Sequence, residues 1–281
     1  MSFTTFAVVI TVLFGHIAAE FTAHFNNFLT TRYGEEMQKR LERRDLGGGI
    51  LGSFGGKVQD TDNITHRPII FVHGVTSRAG VFHSSRDFFI SKGYTPAELY
   101  ATSYGDGGVT PFLFGAIDCD LIKQVRNMTI AVHEYTGKQV DIIAWSMGSA
   151  VTRKAILGGQ CTENQDYLGN PITNLVDTFI AIGGVNYGLQ NCPKFLHGCN
   201  SINSMHCESK LLKELNFQPE RYEGTYSYSI FSLGDPIIGQ FCCDHICSDL
   251  PNASETYERL SPDHVSILIY TMSLQYELLD H

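Results

Sequence analysis

The chain reads Val140-Asp-Ile-Ile-Ala-Trp-Ser146-Met-Gly-Ser-Ala-Val-Thr-Arg-Lys-Ala-Ile-Leu157 at the point that decides its fold. The first five residues form an apolar run of strand length, and Met147 to Leu157 has the length and composition of a helix. Ser146 therefore joins a predicted strand to a predicted helix, where a sharp turn lifts the serine hydroxyl above the sheet edge. The small residues Ala144 and Gly148 let this turn pack, although Ala144 stands where glycine is commoner.

Strand-like and helix-like segments alternate on both sides of this turn. Such alternation predicts an α/β fold with a mostly parallel twisted sheet and helices on both faces. The predicted strands cover residues 68–73, 98–104, 140–144, 176–183 and 225–233, and the predicted helices cover residues 114–135, 147–157 and 265–279.

The amino end is typical of an exported protein. Residues 1–19 carry no Lys, Arg, Asp or Glu, and an apolar run over Phe6–Phe14 is followed by the small residues Ala18 and Ala19. This pattern predicts a signal peptide over residues 1–19, although a basic residue at its start is missing. The apolar run is too short for a bilayer, which needs about 20 residues. We expect a secreted mature chain that begins near Glu20 and has no integral membrane span.

Two further regions complete the predicted organisation. Residues 20–66 form an N-terminal extension, with a helix near Glu35–Arg44 and a flexible glycine-rich connection over residues 47–56. Residues 67–281 form one α/β domain. Within it, residues 187–224 are polar, contain three cysteines and lie between two predicted core strands, so they are interpreted as an insertion.

Composition and charge restrict the class of protein. The chain has 281 residues, of which 43% are hydrophobic, and this composition excludes a disordered or fibrous protein. Its 20 basic and 29 acidic residues give a net charge of −9, which repels a phosphate backbone. Nucleic acid is therefore not an expected partner, and the oligomeric state stays open.

Eight cysteines remain after the predicted signal peptide. An even number of cysteines in an exported chain favours disulfides, with the pairing left open. The alternative is a zinc site over Cys242–Cys247, but this run lacks the paired two-residue cysteine spacing of zinc modules, so we expect no metal. Three sequons predict glycosylation at Asn63, Asn127 and Asn252. The disulfide candidates are Cys119, Cys161, Cys192, Cys199, Cys207, Cys242, Cys243 and Cys247.

A serine becomes a nucleophile when an imidazole takes its proton and a carboxylate holds that imidazole. In this type of fold the chain order is serine, acid, histidine. Asp235 follows a predicted strand, and His264 lies in a loop before the last helix, so the predicted catalytic residues are Ser146, Asp235 and His264. The alternatives in the same region are His245 as the base and Asp244 or Asp249 as the acid.

Backbone N–H groups must stabilise the negative charge that develops on an attacked carbonyl oxygen. The residue after the serine, Met147, is one predicted donor. The second is Val75, in the loop that follows the early strand ending in Phe71-Val-His73-Gly74. His73 itself is interpreted as a packing and hydrogen-bonding residue, because it precedes the serine in the chain.

From Arg67 to Leu279 the sequence resembles the α/β-hydrolases, and within them the class 2 lipases. The resemblance rests on Val72-His73-Gly74, on the Ala-x-Ser-x-Gly turn at Ala144–Gly148, on Asp235 after a strand and on His264 before the final helix. It implies hydrolysis of carboxylic esters, above all acylglycerols at a lipid–water interface, without a cofactor. A small-substrate esterase, a thioesterase, an amidase and an inactive secreted binding protein stay open. The resemblance leaves the insertion open as a lid, a specificity cap or a brace.

Overall fold

The computed structural model describes residues Glu20–Leu279; the predicted signal peptide lies outside the described residues, as do the last two positions. The helices are α1 (Ala23–Tyr33), α2 (Glu35–Glu42), α3 (His83–Ser91), α4 (Cys119–Thr136), α5 (Met147–Leu157), α6 (Lys210–Asn216), α7 (Ser266–Tyr270) and α8 (Met272–Glu277). The strands are β1 (Ile69–Val72), β2 (Leu99–Ala101), β3 (Val140–Trp145), β4 (Val176–Ile182), β5 (Tyr226–Ser232), β6 (Phe241–Cys242), β7 (His245–Ile246) and β8 (Glu255–Arg259).

Six strands form one parallel sheet in the order β2-β1-β3-β4-β5-β8. The strands β6 and β7 pair separately as a small antiparallel ribbon. The predicted α/β architecture with a parallel sheet is therefore confirmed. Because all six strands run the same way, their carboxyl ends meet at one edge of the sheet, which we call the carboxyl edge.

The central strands are apolar on both faces because helices cover both faces of the sheet. Successive residues of a strand point to opposite faces. Ile142 and Ala144 of β3 pack into one core with α1, α4 and α5, whereas Ile143 and Trp145 pack into a second core with α3, α7 and α8. This alternation fixes which side of the sheet each following loop approaches.

Three differences from the predicted elements have local causes. The strand β8 was not predicted because its sequence, Glu-Thr-Tyr-Glu-Arg259, is polar and forms the exposed edge of the sheet. The long helix predicted before α5 begins only at Cys119, since the residues before it form a loop. The final predicted helix is two helices, α7 and α8, separated at Thr271.

The N-terminal extension packs into the main core. Phe25, Leu29 and Leu41 of α1 and α2 are fully buried, and both helices contact α4. The glycine-rich stretch was expected to be flexible, but Phe54 exchanges two backbone hydrogen bonds of 3.0 and 2.9 Å with Ala101 of β2. The extension is thus part of the same folded body as the sheet.

All eight candidate cysteines form disulfides, as predicted. The zinc alternative is disfavoured at Cys242–Cys247 because its cysteine sulfurs are bonded to other sulfurs. Across residues 20–279, none of the helices is long and apolar enough to cross a membrane. The pairs are Cys119–Cys161, Cys192–Cys199, Cys207–Cys243 and Cys242–Cys247.

The insertion is held differently in its two halves. Its second half carries α6, whose residues Leu211, Leu212 and Leu215 are fully buried against the core that contains α5. Its first half includes a short turn at His197–Cys199, where the His197 ring lies 3.0 Å from the carbonyl oxygen of Phe114. The first half therefore lies over the loop between β2 and α4, and the second half is anchored to α5.

Candidate active site

Ser146 occupies a strained turn between β3 and α5. Its φ and ψ angles are 58° and −130°, in a region that residues with a side chain rarely adopt. A close approach beneath it explains why Gly148 is needed: a Cβ atom there would lie 2.4 Å from the carbonyl oxygen of His73. The Ser146 N–H donates to Ile182 O over 3.0 Å, which ties the turn to β4. The sequence pattern thus places Ser146 in a tight turn at the carboxyl edge.

His264 meets Ser146 at this edge. The imidazole Nε2 lies 2.8 Å from Ser146 Oγ, and the imidazole Nδ1 lies 2.6 Å from Asp235 Oδ2. Because a carboxylate only accepts, Nδ1 carries the proton, which leaves Nε2 free to accept from the serine hydroxyl. The three residues come from the ends of β3, β5 and β8 and are all at least nine-tenths buried.

Asp235 is itself fixed by the turn that follows β5. Its Oδ1 accepts the N–H groups of Ile237 and Ile238 over 2.8 and 3.1 Å, so that Oδ2 faces His264. A carboxylate whose two oxygens have different partners cannot rotate without losing hydrogen bonds. This arrangement fixes the orientation of the imidazole as well as its tautomer.

The alternative residues lie elsewhere. His245 is exposed in the β6–β7 ribbon, where its ring stacks on Tyr187 at a centroid distance of 4.0 Å. Asp249 accepts from Leu250 N and from Thr256 Oγ1. Asp244 lies in the turn between β6 and β7. The contacts described here therefore join His264 to Asp235.

A cavity of about 290 Å³ lies beside the serine, and both predicted oxyanion donors line it. Met147 is the first residue of α5, and the first N–H groups of a helix have no partner within the helix. Val75 follows β1 at the same edge. The walls come from Tyr104–Asp106 and from the loop around Phe114.

His73 is a structural residue in this cavity wall, in the role that its position predicts. Its Nδ1 donates to Gly74 O over 2.8 Å, and its Nε2 accepts Tyr104 N–H over 3.0 Å. Both contacts require one neutral tautomer. Burial lowers the pKa of His73 to about 4, so the ring stays uncharged at neutral pH.

This burial predicts a pH-dependent loss of stability. The unfolded chain binds a proton at His73 below about pH 6.5, whereas the folded chain does not until about pH 4. The contribution of His73 to stability is therefore fully present above pH 6.5. As the pH falls toward 4, the free energy of unfolding decreases by about 3 kcal/mol because of this residue. In urea titrations, the free energy of unfolding should fall more steeply over this range for the natural chain than for His73→Gln. Parallel curves for the two proteins would contradict the assignment.

Two residues of the site were not assigned these contacts from the sequence. Trp145 precedes the serine in the chain, and its Nε1 donates to His264 O over 2.9 Å and so holds the histidine loop. Tyr104 stacks on His73 with centroids 4.0 Å apart, and its hydroxyl donates to His73 O over 2.6 Å. The signal available for Tyr104 was its place at the end of a predicted strand.

The three predicted glycosylation residues lie on the surface in different settings. Asn63 and Asn252 are exposed in loops. Asn127 is half-buried on α4, and the threonine of its sequon, Thr129, is buried and donates to Val125 O. Glycosylation stays a prediction at each of them.

Comparison with known proteins identifies the family. Residues 66–277 match the model of the family described as lipase (class 2). Aspergillus fumigatus lipase B shares 15% identity, with 77% of this chain and 53% of that chain covered and a TM-score of 0.55. This chain therefore spans about half the length of the Aspergillus protein. Bacillus licheniformis lipase BlEst2 in its mature form also shares 15% identity, with 81% and 97% covered and a TM-score of 0.55.

At this identity the structural likenesses show the fold, which is that of the α/β-hydrolases, and the family match covers most of the chain. The chain belongs to the class 2 lipases.

Proposed function

We propose that this protein is a secreted lipase that hydrolyses acylglycerols through Ser146, His264 and Asp235. The observation that carries the proposal is the continuous hydrogen-bonded path from the serine hydroxyl to the imidazole to the carboxylate, at 2.8 and 2.6 Å. These distances are within the range required of a nucleophile, its base and the group that orients the base.

In the proposed first step, Ser146 Oγ attacks the ester carbonyl carbon as its proton passes to His264 Nε2. The resulting imidazolium is stabilised by Asp235, which stays ionised. The negative charge on the carbonyl oxygen is stabilised by the N–H groups of Val75 and Met147. When the bond to the alcohol oxygen breaks, His264 gives its proton to that oxygen, and an acyl-enzyme remains.

Water completes the cycle. His264 takes a proton from a water molecule as the water oxygen attacks the acyl carbon, and the second tetrahedral intermediate uses the same two N–H donors. Its collapse breaks the bond to Ser146 Oγ, which recovers the proton from His264. The products are a carboxylic acid and an alcohol. Each proton that His264 accepts in a step is given up again in the next step, so the enzyme returns to its starting state.

Exposed apolar side chains at the carboxyl edge support a lipid substrate. Exposed apolar side chains in the loops that follow the strands favour contact with a lipid surface, since large exposed apolar patches mark interaction sites. The net charge of −9 favours neutral over anionic lipid. The apolar side chains, between 47% and 86% exposed, are Val109, Phe114, Phe195, Ile237, Phe241, Leu260 and Val265.

Activity on triglyceride below and above its solubility limit tests the substrate class. We expect the rate per enzyme molecule to rise sharply when droplets form, and Phe195→Ser with Phe241→Ser to reduce that rise while leaving hydrolysis of a soluble ester unchanged. Tyr167→Ser is the matched control, because Tyr167 is exposed on the connection that enters β4 at its amino end. A rate that follows dissolved substrate alone would instead indicate an esterase for small substrates, which the cavity of about 290 Å³ also accommodates.

Secretion is supported by two independent features. The uncharged apolar sequence of residues 1–19 is typical of a signal peptide, and four disulfides form and persist in oxidising compartments. Detection of the protein in culture medium with Glu20 at its amino end would test this part of the proposal. Retention of residues 1–19 in the mature protein would contradict it.

A further inference from the structure

We propose that residues 20–56 of the N-terminal extension position the oxyanion side of the active site, and that Arg43 is the main positioning residue among them. This inference rests on the proposed function. The extension precedes the family match, which begins at residue 66. The role is therefore one that the matched hydrolase domain alone does not contain.

Arg43 reaches from the end of α2 into the loop that follows β2. Its Nη1 donates to Ser103 O over 3.1 Å and to Gly105 O over 2.5 Å, so one guanidinium group holds the carbonyls on either side of Tyr104. The Arg43 side chain is mostly buried and is paired with Asp45 at 2.8 Å. Its φ of 57° lies in the left-handed region and marks the end of α2.

Ser103 connects the extension to the loop after β1. Its N–H donates to Ser53 Oγ over 3.2 Å, and its carbonyl accepts from Arg43, so both backbone groups are held by the extension. Its own Oγ accepts the N–H of Ala79 over 2.9 Å. A displacement of the extension would therefore be transmitted to the segment that contains Val75.

Tyr104 links the two carbonyl groups held by Arg43 to the loop that contains the Val75 N–H. It lies between the two carbonyls held by Arg43, stacks on His73 and bonds to His73 through both its N–H and its hydroxyl. His73 in turn holds the carbonyl of Gly74, next to the Val75 N–H. Arg43 thus acts through Tyr104 and His73, without contact with the reacting atoms.

A second set of contacts joins the extension directly to the loop after β1. Arg78, in the loop after β1, donates to Gly107 O over 3.0 Å and to Leu46 O of the extension over 3.2 Å. The extension also lies directly on this loop: a Cβ atom at Gly80 would be 2.4 Å from Ile50 O. The loop after β1, the loop after β2 and the extension are therefore packed against one another.

Kinetics of Arg43→Ala on a soluble short-chain ester test the inference. We expect kcat to fall at least about 10-fold with KM nearly unchanged, because a small displacement of the Val75 N–H weakens contacts made only in the transition state. Affinity for an alkyl boronic acid, which forms a tetrahedral adduct on a reactive serine, should fall by a similar factor. Arg43→Lys should recover part of both losses, because an ammonium can still donate to one carbonyl.

Two further variants keep the test decisive. Tyr104→Phe removes only the hydroxyl bond to His73 O and should lower kcat and boronic acid affinity in the same direction, even if Arg43→Ala fails to fold. Arg44→Ala is the matched control, because Arg44 is the exposed neighbour and pairs with Glu42. If Arg43→Ala and Tyr104→Phe match Arg44→Ala in kcat and boronic acid affinity while Ser146→Ala is inactive, the inference is overturned. If Ser146→Ala is active, the proposed function itself has failed.

Discussion

Replacement of Ser146 by alanine should reduce kcat for ester hydrolysis by about 10⁶-fold, the scale seen when the nucleophile of a serine hydrolase is removed. The reason is that His264 Nε2, 2.8 Å away, then has no hydroxyl to deprotonate. Hydrolysis of a chromogenic acyl ester measures the effect. His264→Ala should cause a loss of similar size, since the two residues act as a unit.

Ser149→Ala is the matched control for this prediction. Ser149 is buried one turn further along α5, and its hydroxyl donates to Asn186 Oδ1 over 2.6 Å. Both variants remove one serine hydroxyl, but the hydroxyl of Ser149 is paired with an amide oxygen instead of an imidazole. Activity close to wild type is expected for Ser149→Ala, and a comparable rate for Ser146→Ala would refute the nucleophile assignment.

The second large effect concerns the insertion. Arg153 of α5 is completely buried, and its Nε donates to Glu223 Oε1 over 2.9 Å, with Glu223 itself only 1% exposed. Replacing Glu223 by alanine leaves a buried guanidinium without its counter-ion, which costs about 3 to 5 kcal/mol. Urea denaturation should show this loss in the free energy of unfolding. Remaining bonds from Arg153 to Leu215 O and Asn216 Oδ1 offset only part of it.

Glu208→Ala provides the comparison, because Glu208 lies in the same insertion but forms an exposed ion pair with Lys194. Exposed pairs of this kind contribute little, so the unfolding midpoint should not move. Equal midpoints for Glu223→Ala and Glu208→Ala would contradict the predicted contribution of the Arg153–Glu223 pair to stability.

Local sequence was sufficient for the centre of the fold. The apolar run of β3, the small residues around Ser146 and the helix pattern of α5 agree on one turn, so the predicted helix Met147–Leu157 has the observed bounds. Asp235 and His264 were predicted from chain order and from loops at strand ends. Their contact follows because parallel strands bring their carboxyl ends to one edge.

Other features depend on contacts between distant residues, which local pattern does not contain. The strand β8 is polar because one of its neighbours is solvent, so its residues resemble a loop. Phe54 is buried by pairing with β2, although six glycines around it indicate flexibility. The sequence around Arg43 is typical of a solvent-exposed helix end. The proposed role of Arg43 depends on its hydrogen bonds to Ser103 O and Gly105 O, which are distant in the chain.

Covalent labelling with an alkyl organophosphonate tests the central claim most directly. The account predicts that the natural chain gains one adduct, and that peptide mass spectrometry locates it on the peptide containing Ser146. His264→Ala should label far more slowly, because the serine has lost its base. A folded natural chain that takes no label, or that is labelled at another residue while Ser146 stays unmodified, would contradict the account and favour a hydrolase scaffold without turnover at this site.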